Sequence, residues 1–155
     1  MWPDIHLIII FMLLNGLFAA AEIAVVTLRR TRVKQLIDEG NKRAVVLDKF
    51  RKEPNRFLAT IQLGITLAGV LASAIGGAAA VEIIKPMLKN VPIPLISVSS
   101  EAIAIGLISV IITYFFIVFG ELIPKSIALS HPESTGLLIA PSIEKFSKLV
   151  MPFFQ

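Results

Sequence analysis

AIAIGLISVIITYFFIVF, residues Ala102–Phe119, runs for eighteen positions without a charge and is followed at once by Gly120-Glu121-Leu122-Ile123-Pro124-Lys125. An apolar run of this length reads differently in water and in lipid. The hydrocarbon core of a bilayer is about 30 Å thick and takes about 20 apolar residues of helix, at roughly 1.5 Å each. Two further stretches meet the same requirement, Ile5–Leu28 and Phe57–Ile84. The chain is 55% hydrophobic, with a mean hydropathy of +0.82, well above the share in water-soluble domains. These features predict an all-α membrane protein. Its single transmembrane domain fills residues 1–155, with spans at about 5–28, 57–84 and 102–123. The lack of cysteine excludes a disulfide framework and a thiolate metal site.

A cleaved leader would open with basic residues ahead of a short apolar core. Here the first basic residue is Arg29, after the run, so Ile5–Leu28 reads as an anchor that stays. Between Arg29 and Arg56 lie ten lysines and arginines, against Lys85 and Lys89 alone between the second and third spans. By the excess of positive charge on cytoplasmic loops, the N-terminus is outside and the C-terminus cytoplasmic. The net charge of +4 is then a matter of topology and of anionic headgroups, and no nucleic-acid partner is needed. Val33, Leu36 and Ile37, then Ala44, Leu47 and Phe50 after Gly40-Asn41, predict two short amphipathic helices over about 29–53. Lys85–Ser100, with Pro86, Pro92 and Pro94, reads as an extended outer loop. Juxtamembrane helix resumes over about 126–152. Ser134 is expected to cap one piece, interrupted at Pro141, and Ser142 a second with Ile143, Phe146, Leu149 and Val150 on one face. The end at Phe153-Phe154-Gln155 carries no closing element and suggests that a cytoplasmic domain follows.

Polar side chains inside a span are costly, so their positions carry information. Gln62, Thr66, Gly69, Ser73 and Gly76-Gly77 fall on one helical face of the second span. A seam of small residues packing helix on helix explains the glycines and Ser73 as well as a site does. Asn15, Ala19 and Glu22 share a face of the first span, and Glu22 would pair with Arg29 or Arg30 if it has no site role. The third span has Gly106, Ser109, Thr113 and Gly120 before Glu121 and Pro124. Pro124 cannot donate to the carbonyl of residue 120 and its ring pushes that carbonyl aside, leaving it in need of a partner. A carboxylate, a freed carbonyl and a glycine in one turn are the kind of oxygen set that holds Mg2+, Ca2+ or Na+. A helix end with a snorkelling glutamate is the plainer alternative. No HExxH, GxSxG or phosphate-loop motif is present, and His6 and His131 fall on opposite sides, so no enzyme is expected.

NGLFAAAEIAVVTLRRTRVKQL (Asn15–Leu36), FLATIQLGITLAGVLASAIGG (Phe57–Gly77) and VFGELIPKSIAL (Val118–Leu129) resemble, in order and spacing, the three signature stretches of the CNNM/CorC transmembrane domain. The resemblance covers nearly the whole chain. It implies a homodimer in the plasma membrane with three spans per subunit, a juxtamembrane belt and a following cytoplasmic CBS-domain pair. It also implies Mg2+ transport, mostly export, driven by Na+ entry. The ion site it implies draws oxygens from all three spans and includes Glu121 of the GE-x-x-P motif. The sequence departs from the pattern at Ala19 and Ala20, where many members carry serine. It departs again at Ile65 and Gly69, where some carry asparagine.

Together these readings expect metal contacts from Glu121, Gly120, Thr66, Gln62, Glu22 and Gly69. Pro124, Asn15, Ser73 and Thr113 are expected to shape or gate the site. The expected function is Mg2+ transport. The alternatives are a Mg2+-sensing or scaffolding membrane module that moves no ion, and a transporter of another divalent cation.

Overall fold

The computed structural model describes residues 2–90 and 99–150. Helix α1 (Trp2–Thr27) is followed by the short α2 (Arg30–Asp38) and α3 (Lys42–Lys52). The long α4 (Pro54–Lys89) and α5 (Ser100–Ile117) come next. A π-helical turn, Val118–Leu122, leads into α6 (Ile123–Ser130), and α7 (Pro132–Val150) closes the described chain. Three stretches are long and apolar enough to cross a membrane: Pro3–Thr27, Pro54–Ala79 and Ser100–Ser130.

The two-helix linker forms as its pattern predicts. Gly40 has φ +85°, a left-handed conformation that favours glycine, and Asn41 caps α3 by accepting from the backbone N–H of Arg43 at 3.0 Å. Val33 and Leu36 of α2 and Ala44, Leu47 and Phe50 of α3 are buried. They join Phe18, Ala24 and Leu28 of α1, Phe57 and Ile61 of α4, and Ile139 and Ile143 of α7 in the main core. The largest core therefore lies where the belt helices close around the ends of α1 and α4. Phe18 meets Phe146 edge to face at 4.8 Å, a contact of about 0.5–1.5 kcal/mol beyond its buried area. Arg32 on α2 grips Glu133 at the start of α7 through two hydrogen bonds of 2.8 Å, tying the two ends of the belt together. Further out along the spans, a smaller cluster of Ala72, Ile112 and Phe116 is flanked by Ile8, Phe11 and Met12.

Three helix boundaries differ from expectation. Helix α4 runs through Pro86 to Lys89, so the first part of the expected outer loop is helical, and Lys85 pairs with Glu101 at the start of α5. Pro92 and Pro94 lie outside the described residues. Pro141 does not interrupt α7, and Ser134 sits inside that helix rather than at its cap. Gly136, Ile139, Ala140, Ile143, Ser147 and Val150 are all buried, so one packed face continues across the proline and holds the helix together. Leu149, expected on that face, is instead 71% exposed. Pro124 does not end the third span either, because the chain stays helical from Ser100 to Ser130 by taking a π turn ahead of it.

Close approach of the spans depends on glycine at particular points. A Cβ on Gly16 would lie 2.9 Å from the Pro124 ring, and one on Gly64 would lie 2.6 Å from the Phe18 ring. Gly76 is filled by Ile112 in the same way, which makes it a packing position.

Candidate functional site

Pro124 has no N–H to give, and the π turn before it changes the hydrogen-bond register, the N–H of Ile123 reaching the carbonyl of Val118 five residues back. The carbonyl of Gly120 is met from outside its own helix. Asn15 Nδ2, on α1, donates to it at 2.8 Å in a buried contact. The approach is tight enough that a Cβ on Gly120 would stand 3.1 Å from that nitrogen, and Gly16 next to Asn15 makes room for the Pro124 ring. An amide, two glycines and a proline thus lock α1 onto the π turn.

The other end of the Asn15 amide is unpaired. Asn15 is 4% exposed, and its Oδ1 is buried without a hydrogen-bond partner. A buried carbonyl oxygen left without a donor is costly, and such atoms call for an explanation. Asn15 lines a shallow, open cavity of about 200 Å3 beside α1, α4 and α5, together with Gly69, Glu121 and the exposed Ser73 and Thr113. Ile65, Ile112, Phe116 and Ile117 form its apolar walls. Gly69 presents open space, with nothing within 4 Å of where a Cβ would stand. The cavity therefore brings an amide side chain, two hydroxyl side chains and a carboxylate together against an apolar lining. That is a hard-ligand set of one charge and several neutral oxygens, large enough for a cation that keeps part of its water.

The carboxylate end of the cavity is wired to a second acid. Lys125 Nζ lies 2.6 Å from Glu121 Oε1 and 3.6 Å from Glu22 Oε2. Glu22 therefore does not use Arg29 or Arg30 in the way the sequence suggested. Its partner is Lys125 on α6, and all three groups are only partly exposed. The net charge of the triad is −1, and the ammonium stands where an incoming cation would compete for Glu121.

The structure brings Asn15, Gly69, Ser73, Thr113 and Glu121 to one cavity, with Gly120 and Pro124 in the turn behind it. Glu22 is joined to it through Lys125. Gln62 and Thr66 do not line the cavity and are exposed on α4. Sequence reasoning missed Lys125. Its place four residues after Glu121, on the same helical face, was the available signal. Among the described residues no group of three or more His, Cys, Asp or Glu side chains is placed to hold a metal, and the cavity lining holds one carboxylate, Glu121.

A family model described as the cyclin M transmembrane N-terminal domain matches residues 6–155. The chain is 39% identical over 149 residues to the UPF0053 protein sll0260 of Synechocystis sp., an alignment covering 96% of this chain and 33% of that protein. It is 35% identical over 147 residues to the UPF0053 protein YhdT of Bacillus subtilis, covering 95% and 32%. With the UPF0053 inner membrane protein YfjD of Escherichia coli it shares 29% identity over 132 residues, covering 83% of this chain and 27% of that protein. The chain thus spans about a third of the length of the relatives it matches.

Proposed function

The chain belongs to the cyclin M (CNNM) transmembrane-domain family, and from that premise we propose that it binds Mg2+ in the Asn15–Glu121 cavity and moves it across the membrane. The observation that carries the reading is the buried, unpartnered Oδ1 of Asn15, held in place by the bond from the same amide to Gly120. An oxygen kept at that position without a donor from the protein is available to a cation or to a water bound to one. Glu121 supplies the charge, and Ser73 and Thr113 supply hydroxyls to the ion or its retained water. The π turn gives the moving part. Its backbone is already out of α-register, and a shift of Asn15 against Gly120 changes which oxygens face the cavity.

Lys125 is the tethered competitor in this scheme. With no ion bound it pairs with Glu121 and, more loosely, with Glu22. A divalent ion at Glu121 displaces the ammonium toward Glu22, and the formal charge of the site passes from −1 to +1 as the ion binds. The reading places the α2–α3 belt on the cytoplasmic side, in keeping with its lysines and arginines, and takes Na+ entry as the drive for Mg2+ export. It takes the working unit to be a homodimer in the plasma membrane, with a CBS-domain pair following in the longer protein.

The test is Mg2+ flux from proteoliposomes with and without an imposed Na+ gradient, using the wild type and Glu121→Ala. Flux that rises with the Na+ gradient and vanishes in correctly folded Glu121→Ala is expected. Wild-type flux in the variant overturns the site. Mg2+ binding without flux overturns transport in favour of an ion-sensing module, and flux of another divalent ion in preference to Mg2+ overturns the choice of substrate.

A further inference from the structure

Where α1 enters the belt, two depressions share a pair of arginines. One, of about 220 Å3, is lined by Arg30, Lys34, Arg51 and Lys52 together with Asp48. The other, of about 170 Å3, also contains Arg30 and Arg51 but is otherwise largely apolar, with Val26 and Leu58 among its walls. Val26 is 68% and Leu58 43% exposed, so this second depression runs along the outside of the spans. The only carboxylate of the basic basin is already engaged, since Asp48 pairs with Lys52 at 2.6 Å. Arg51 Nη1, in contrast, is buried and has no acceptor among the described residues. A guanidinium nitrogen shut away from water without an acceptor is an unusual thing to leave in a fold, and phosphate oxygens are acceptors with which guanidinium groups pair well.

We propose that this continuous basin and groove is a binding site for an anionic phospholipid. The phosphate sits between Arg51 and Arg30, with Lys34 and Lys52 at its rim, and an acyl chain lies along Val26 and Leu58. The apolar half of the site decides between a lipid and free phosphate. Inorganic phosphate would use the basic basin alone and leave the groove at Val26 and Leu58 uncovered. The location favours the same source, because the basin lies at the end of two spans, at the depth where headgroups meet the hydrocarbon. Neither the ion cavity nor the Lys125 triad contributes a residue, so the site is independent of the transport reading.

The test is native mass spectrometry of the detergent-solubilised protein titrated with phosphatidylglycerol or phosphatidylcholine, with thermal unfolding of the same samples. The expected result is one tightly retained phosphatidylglycerol per chain and a rise in melting temperature that phosphatidylcholine does not give. Arg51→Gln should weaken retention by about tenfold, the scale of losing one bidentate charged contact. Lys34→Gln, an exposed position that leaves the core untouched, should weaken it by less. Arg43→Gln, an exposed belt arginine outside the basin, should change nothing. Leu58→Asn should weaken phosphatidylglycerol binding without affecting inorganic phosphate. Equal losses from Arg43→Gln and Lys34→Gln would mean diffuse attraction to charge and would overturn the site. Displacement of the lipid by inorganic phosphate at equal concentration, or no effect of Leu58→Asn, would overturn the lipid as occupant.

Discussion

Replacing Asn15 by alanine removes the donor to the Gly120 carbonyl and the unpartnered Oδ1 together, and the two losses are separable by measurement. The first is structural. Interhelical hydrogen bonds in membrane bundles average about 0.6 kcal/mol and reach about 1.7 kcal/mol, so unfolding in detergent without Mg2+ should show a loss in that range. The second belongs to the ion. Asn15→Ala should lose most of the stabilisation that Mg2+ gives the wild type, a shift read by repeating the melt across a Mg2+ titration. An unchanged Mg2+ dependence would leave the amide as a helix clamp alone. Lys125 gives the opposite signature. Lys125→Gln leaves Glu121 and Glu22 facing each other without their shared ammonium, so the ion-free protein should melt lower. Mg2+, freed from its competitor, should bind with higher apparent affinity and restore more of the melting temperature than it does in the wild type. A variant that binds Mg2+ more weakly would mean that Lys125 organises the site instead of competing for it.

The belt helices carry a pH dependence with a definite sign. The hydrogen bond from Arg32, helped by that guanidinium's charge, holds the Glu133 carboxyl below its ordinary value of 4.5, and burial opposes this. The same pair raises the already high value of Arg32, so arginine stays charged throughout. A carboxyl with a depressed folded value stabilises the fold above its unfolded value, and that contribution is lost as pH falls through the folded one. Glu133→Gln should therefore melt lower than the wild type at neutral pH, with the gap closing as the pH drops below 4.5. A gap that persists in acid would assign the contact to shape alone. How much of each element was legible follows from how local its cause is. The α2–Gly40-Asn41–α3 unit was readable because its periodicity, its left-handed glycine and its cap all lie within a few residues. The continuity of α7 across Pro141 was not, because the face that holds it is set by α1 and α3. The π turn was half readable. Pro124 announces a freed Gly120 carbonyl, but the partner is Asn15, on a helix whose position only the fold determines. The cavity follows the same rule. Spacing puts Gln62, Thr66, Gly69 and Ser73 on one face, yet of these only Gly69 and Ser73 line the cavity beside α1 and α5. Gly69 also leaves open the space that a side chain at that position would take.

At the scale of the molecule, the exposed polar residues of α4 need an account that the single chain does not supply. Gln62 and Thr66 are exposed within a helix long and apolar enough to cross the membrane, beside the exposed Leu58, Val70 and Leu71. An amide facing hydrocarbon lacks the hydrogen-bonding partners it would have in water, and pairing with another helix is the usual remedy. The first span has 44% of its most apolar window buried, the second 28% and the third 11%, so the second and third spans both have more surface left for a neighbour than α1, and the exposed Gln62 and Thr66 are what point to α4. A second copy meeting the first across the Gln62–Thr66 face would cover both side chains and place the two ion cavities beside a common interface. The chain has no cysteine, which makes the contact testable with single substitutions. Thr66→Cys should crosslink to a dimer under mild oxidation in native membranes, and Gln62→Cys should do so as well. Leu13→Cys, 66% exposed on α1, should remain monomeric under the same conditions. Crosslinking of Leu13→Cys alone would move the interface to the first span, and equal crosslinking at all three positions would mean random collision in the bilayer. If Thr66→Cys crosslinks while retaining Mg2+ binding, Thr66 belongs to the dimer contact, and the ion is held by the oxygens around Asn15 and Glu121.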